Sequence, residues 1–275
     1  LPPISLHQRD NKTEYSVQTA NTVNLYFNYP THCSEPAEVL EKCRVKAAEA
    51  FAAVIVRLNI DYERYCALSH IPFRRLPWQS HVMTYDELYQ MVKRERGEEI
   101  DRILAELIEK LRARRADDRE VSMAIVNEVH KHCSDKDSKI VVYFAPPYYP
   151  HNFVRDGDPR SDRLLAAVRQ SVAEARQKFD YPIVTRKFYP YISDLSYCGI
   201  AAAEHMDKLT ENMPAWQLTY RLPVQAIQSI SMPVVNIGPY GKDAHKLSER
   251  VDIRYSYDAM PLILWRTVER LLGAN

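Results

Sequence analysis

Two short stretches of this sequence carry side chains whose types and spacing chemistry can use. The first is Gly238-Pro-Tyr-Gly-Lys-Asp-Ala-His-Lys-Leu-Ser-Glu-Arg-Val251, which follows an apolar run. Its glycines and proline let the backbone turn sharply past the end of a strand, so His245 can be presented to a crevice with Glu249 as a hydrogen-bond partner. A neutral imidazole held in that way is a good zinc ligand; the plain alternative is an ordinary turn with a surface histidine. The second stretch is Phe188-Tyr-Pro-Tyr-Ile-Ser-Asp-Leu-Ser-Tyr197. In it Ser193 and Asp194 set a hydroxyl beside a carboxylate, which could orient a substrate or hold a ligand histidine, or could do no more than cap a turn.

Other clusters read more plainly. His130-Lys-His-Cys133 has the residue types of a metal site, but neighbouring residues on one helix point in different directions, so a polar helix end is expected. Arg112-Ala-Arg-Arg115 could meet phosphate, yet Asp117, Asp118 and Glu120 follow at once and cancel its field. Pro146-Pro-Tyr-Tyr-Pro150 reads as a linker between domains.

The elements that must position the two stretches follow from periodicity. Val23, Leu25 and Phe27 alternate as the buried face of a strand across Asn21 to Tyr29. Ser34-Glu-Pro36 opens a helix in which Val39, Leu40, Cys43, Ala47, Phe51, Val54 and Leu58 recur at three and four residues. From about residue 60 to 138 the chain is helical and highly charged, with helices over Tyr85 to Arg96, around Ile100 to Leu111, and from Asp117 to about His132. An apolar strand, Lys139 to Ala145, closes at Pro146-Pro147. A second unit then alternates: a helix from Arg160 to Lys178, a strand from Ile183 to Phe188, a buried strand from Met232 to Gly238, and a last helix from Asp258 to Leu272 that turns Met260, Ile263, Leu264, Val268 and Leu271 inward. That order predicts α/β architecture with parallel strands, whose ligands sit beyond the strand ends.

Composition sets the limits. Lysine and arginine (37) nearly match aspartate and glutamate (36), so no overall field draws the chain to nucleic acid or an anionic membrane. The 275 residues, 46% of them hydrophobic, suffice for one large or two ordinary domains. The 5 cysteines are scattered without a Cys-x-x-Cys pair, which suits a reducing, cytoplasmic setting, and the 6 glycines form no phosphate loop. No run is long and apolar enough for a bilayer span. The first residue is not methionine, so a fragment is considered.

Taken together and in this order, the Phe188 to Tyr197 loop, Met232-Pro-Val-Val-Asn-Ile-Gly-Pro-Tyr-Gly-Lys-Asp-Ala-His245 and Ser248-Glu-Arg-Val251 resemble the C-terminal part of the co-catalytic zinc peptidases and deacylases. That superfamily includes the aminoacylases, succinyl-diaminopimelate desuccinylase and an arginine-utilisation member. Leu1 to Thr19 and Leu25-Tyr-Phe-Asn28 carry the same resemblance. It implies an α/β catalytic domain interrupted by an α+β lid, with residues 1–147 as lid or dimerisation-type domain bearing the helical insertion (about 60–138), and 148–275 as the C-terminal part of the catalytic domain. It also implies two zinc ions or other divalent metals in the complete enzyme, held mostly by acids and a histidine upstream of the lid. His245 matches the late metal ligand, Ser193 and Asp194 the site-lining loop, and Glu249 the trailing acid. The implied reaction is amide or peptide hydrolysis in amino-acid catabolism, with arginine the named setting, and metal-activated water as nucleophile. Most ligands and the general base are not in this chain, which is expected to be inactive alone. The expected partner is a small-molecule or peptide substrate, with a homodimer allowed but not required, and neither nucleic acid nor membrane. The rival class is a non-catalytic binding or assembly module that keeps the fold without the metal site.

Overall fold

A computed structural model describes residues 3–12, 14, 17–31, 34–150, 152–189, 192–200 and 206–273. The chain is mixed α/β and divides into two compact units, one formed by Pro2–Tyr148 with Glu204–Leu222, the other by Tyr149–Ala203 with Pro223–Asn275. Among the described residues no helix is long and apolar enough to cross a membrane.

The first unit opens with an antiparallel hairpin of β1 (Ile4–Asp10) and β2 (Val23–Asn28). The sequence pattern turns Val23, Leu25 and Phe27 inward, but the structure leaves them 56%, 53% and 41% exposed, and Asn24, Tyr26 and Asn28 are the more covered set. Alternation says only that the two faces differ; which one meets the rest of the unit is decided by what lies opposite. Here the guanidinium of Arg119 lies over the Tyr26 ring, 5.8 Å from its centre, a cation–π contact available only to the polar face.

Helix α1 (Pro36–Leu68) starts with its proline in the first turn, where the missing N–H is not needed. Buried Asn59 holds the chain that follows it, accepting from the Leu76 N–H at 2.8 Å while donating to the Ile55 carbonyl at 3.0 Å. Then β3 (Val82–Thr84) pairs in parallel with β4 (Ile140–Val142). Parallel pairing requires a long crossover, supplied by α2 (Tyr85–Arg96), α3 (Glu98–Ala113) and α4 (Asp118–His132). The ladder is shorter than the apolar run Lys139 to Ala145 because Thr84, the last residue of β3, is already the cap of α2. Its hydroxyl accepts from the Glu87 N–H at 3.3 Å and the Glu87 carboxylate accepts from the Thr84 N–H at 2.7 Å. Thr84→Ala removes half of that reciprocal cap and is expected to cost about 1 kcal/mol, read as a lowered urea midpoint.

Leu88, Val92, Ile100, Leu104, Val121, Ile125 and Val129 form the core of this unit, and Ala215 joins them from the late segment. Asn212, 2% exposed, ties that segment in: its side-chain oxygen accepts from the Asp86 N–H at 3.0 Å and its carbonyl from the Phe144 N–H at 2.7 Å. Within the segment lies the short α6 (Asp207–Glu211).

The second unit is built on α5 (Pro159–Lys178) packed against α8 (Met260–Leu272), with a short α7 (Val224–Ile230) between them in sequence. Leu164, Val168, Val172, Ala175 and Ile263 form its core, and Ile183, Val235 and Ile237 pack on it. The expected strands 183–188 and 232–238 bring those apolar residues to the helices but form no ladder. Their regular attachments are an antiparallel bridge from Phe188 to Phe153 and a hydrogen bond from the Met232 N–H to the Cys198 carbonyl at 3.0 Å. A strand is defined by a hydrogen-bonded neighbour, and among the described residues these segments have no neighbouring strand. The expected parallel sheet is therefore not formed in this unit.

The last helix also differs from its predicted face. Ser256, Ala259, Ile263 and Thr267 are buried, whereas Leu264 and Val268 stand exposed. A π-helical turn, Tyr255–Ala259, precedes α8 and adds a residue to one turn. Apolar residues line both sides of this helix, so the phase set by that turn, not the count of apolar positions, selects the inner side.

Candidate functional site

The loop that carries His245 is closed at its base by the two-residue strands β5 (Gly241–Lys242) and β6 (Arg250–Val251), paired antiparallel. Glycine is required at the first of these positions, since a Cβ on Gly241 would lie 2.4 Å from the Arg250 carbonyl oxygen, whereas one on Gly238 would meet nothing within 4 Å. Gly241→Ala is expected to open the base of the loop at a cost of about 1–3 kcal/mol. Amide resonances of 241–251 should shift in that variant and stay in place in Gly238→Ala.

Above the base, Asp243 and His245 both adopt left-handed backbone, with φ of 57° and 63°. Aspartate and histidine are both among the non-glycine residues enriched in this region. The Asp243 carboxylate accepts from the Ser248 hydroxyl at 3.1 Å and pairs with the Arg250 guanidinium. The Lys246 N–H donates to the Asp243 carbonyl at 2.9 Å and the Glu249 N–H to the Lys246 carbonyl at 3.0 Å. Glu249 does reach back to His245, but at the backbone: its carboxylate accepts the His245 N–H at 3.2 Å. The imidazole itself stands exposed.

The foot of the loop is anchored to the start of the last helix through aromatic residues. The Tyr181 hydroxyl donates to the Asp252 carboxylate at 3.1 Å, and that carboxylate also accepts the Tyr255 N–H at 2.8 Å. The Tyr255 ring meets Tyr181 and Tyr240 edge-on, at 5.4 Å and 6.2 Å between centres. Partial burial, and then the bond to Asp252, push the Tyr181 hydroxyl above its ordinary range.

In the other loop, Ser193 caps a 3-10 turn, Asp194–Cys198, accepting from the Leu195 N–H at 3.3 Å. Its hydroxyl also donates to the Asn236 side-chain oxygen at 3.1 Å. That bond brings the Ser193 loop to the 232–238 segment, so the structure does join the two stretches, through a residue that sequence reasoning passed over. The only available signal was one amide in an otherwise apolar run. Asp194 opens the turn with its side chain exposed, and Asn152 steadies the loop from below, donating to the Leu195 carbonyl at 3.3 Å. Pro190 and Tyr191 of this loop, and Cys33, lie outside the described residues.

Among the described residues, no group of three or more His, Cys, Asp or Glu is placed to share a metal ion. His245 thus belongs to no such group among the described residues. His132 accordingly spends its ring on Glu128 at 3.0 Å.

No family model matches the chain, and no solved structure matches it. Among curated proteins it is 28% identical to "Protein RocB" of Bacillus subtilis (strain 168) over 278 aligned positions, which cover 99% of this chain and 48% of that protein. It is 32% identical to "Uncharacterized protein YqjN" of the same organism, covering 98% of this chain and again 48% of the relative. The chain thus spans about half the length of the curated relatives it matches.

Proposed function

We propose, taking the likeness to RocB as premise, that this chain is part of a metal-dependent amide or peptide hydrolase of amino-acid catabolism, acting on an arginine-derived compound in the cytoplasm. The observation that carries the reading is that the likeness runs through 99% of the chain while accounting for only 48% of the relative. In this reading residues 1–147 are the lid, with the helical insertion over about 60–138, and 148–275 are the C-terminal part of a catalytic domain. The two extended segments that have no neighbouring strand among the described residues, and the exposed side of α8, support it, since both are surfaces on which further sheet structure would rest. His245 is assigned as one ligand of a zinc pair whose other ligands and general base come from upstream sequence. Ser193, Asp194 and Glu249 line or steady that position. The chain by itself is inactive.

The test is the sequence that the coding region places before Leu1, and the metal content of the longer polypeptide it specifies. A His-x-Asp followed by a Glu-Glu pair, with near-stoichiometric zinc and amide hydrolysis in the purified product, is the expected result. A start codon directly upstream, or a longer polypeptide that binds no divalent metal, overturns the reading in favour of a non-catalytic binding or assembly module.

A further inference from the structure

The β1–β2 hairpin carries a one-residue irregularity whose effect is chemical. Ser5 pairs with Phe27, but the next paired residue is His7, opposite Tyr26, so Leu6 is the extra residue of a bulge. Uninterrupted pairing would put His7 and Arg9 on the exposed face with Leu25 and Val23. The bulge moves them across, and Arg9 now stands opposite Asn24. Bulges re-aim side chains in this way. The His7 and Tyr26 rings stack in parallel, 4.9 Å between centres and 3° apart.

The re-aimed face lies over α4 and lines an open cleft of about 410 Å³ within the first unit. Its floor is apolar, made by Met123 and Ala124, and its rim bears His7, Arg9, Asn24 and Asn127. Turning a polar strand face inward forgoes the burial of the apolar side chains of Val23, Leu25 and Phe27. Packing alone would favour the opposite face. Most charged groups at the cleft are already engaged. The Glu120 carboxylate takes the Arg114 guanidinium at 2.5 Å, the Lys12 ammonium is held by the Gln18 carbonyl, and Asp10 accepts the Lys12 N–H at 3.2 Å. Among the described residues the Arg9 guanidinium makes no ion pair or side-chain hydrogen bond.

The geometry points to a binding site for a small monocarboxylate in this cleft. The planar guanidinium of Arg9 matches a carboxylate with two parallel N–H donors. Asn127 offers an amide beside it, and Met123 and Ala124 take a short aliphatic chain. A single negative charge is favoured over a phosphate because the carboxylates of Asp10 and Glu120 border the same cleft and repel a second one. The site lies in one unit and uses neither His245 nor a metal, so its test does not depend on the proposed hydrolytic centre.

The experiment is titration of the ¹⁵N-labelled chain with pentanoate, followed at the side-chain amides of Asn24 and Asn127. Parallel titrations use inorganic phosphate and n-butylammonium. Saturable shifts with pentanoate alone are expected, weakened about tenfold or more in Arg9→Gln, as when a charged hydrogen-bond partner is removed. Arg9 is exposed, so the variant should keep the wild-type spectrum elsewhere. Equal affinity in Arg9→Gln, equal response to phosphate, or no saturable shift with pentanoate would each overturn the proposal.

Discussion

His245→Asn, made in the polypeptide extended by its upstream coding sequence, is expected to lower zinc affinity by more than about a hundredfold, because loss of a partner behind a ligand already costs ten- to a hundredfold. The substitution isolates the ligand from the loop. Asparagine tolerates the left-handed backbone found at position 245, and the hydrogen bond to Glu249 uses the backbone N–H, which remains. The metal-free variant should therefore unfold within about 0.5 kcal/mol of the parent, as exposed positions do. Competition with a chromophoric chelator gives the affinity, and urea unfolding followed by circular dichroism gives the stability. Zinc retained at parental affinity would remove His245 from the metal site; a large loss of stability would make it a structural residue.

Ile125→Ala should be the most damaging single change in the first unit, costing about 2–5 kcal/mol. Ile125 is 0% exposed and lies on the side of α4 that packs among Leu88, Val92, Ile100 and Val129. Cores cannot close over a lost side chain without strain, so much of the vacated volume persists. Domains of this kind are held by only about 5–15 kcal/mol in total. The urea midpoint should fall with little change in slope. Leu264→Ala, on the uncovered side of α8, should by contrast stay within about 0.5 kcal/mol. If the two substitutions cost the same, the assignment of the core is wrong.

Helices were the legible part of this sequence. Tyr85–Arg96 was expected and observed with the same bounds, and α5 starts one residue before its predicted start, at Pro159. A helix satisfies its own backbone, so its signal is local. Strands 183–188 and 232–238 were legible as extended apolar stretches but not as ladders, because pairing depends on residues far away in the chain. For the same reason the exposed side of β2 and of α8 could not be chosen from spacing alone. At the candidate site, the glycine-rich turn around His245 was readable and is present, closed by Gly241. The use of Glu249 on a backbone N–H was not, since spacing gives proximity without saying which atoms meet. Asn236 and Asn212, which tie separate stretches together, give almost no local signal: a lone amide looks the same whether it faces water or, as at Asn212, is shared by two backbone groups.

The route by which Ala215 enters the first core has a consequence for how the chain is made. Nascent chains leave the ribosome amino-terminus first, and residues 149–203 emerge before the strip Glu204–Leu222 that completes the earlier unit. Roughly seventy further residues must be translated after Tyr148, about 4–15 s at ordinary elongation speeds. Throughout that interval the pocket destined for Ala215 and Asn212 stays open to solvent, so one body cannot mature fully before synthesis of the other has begun.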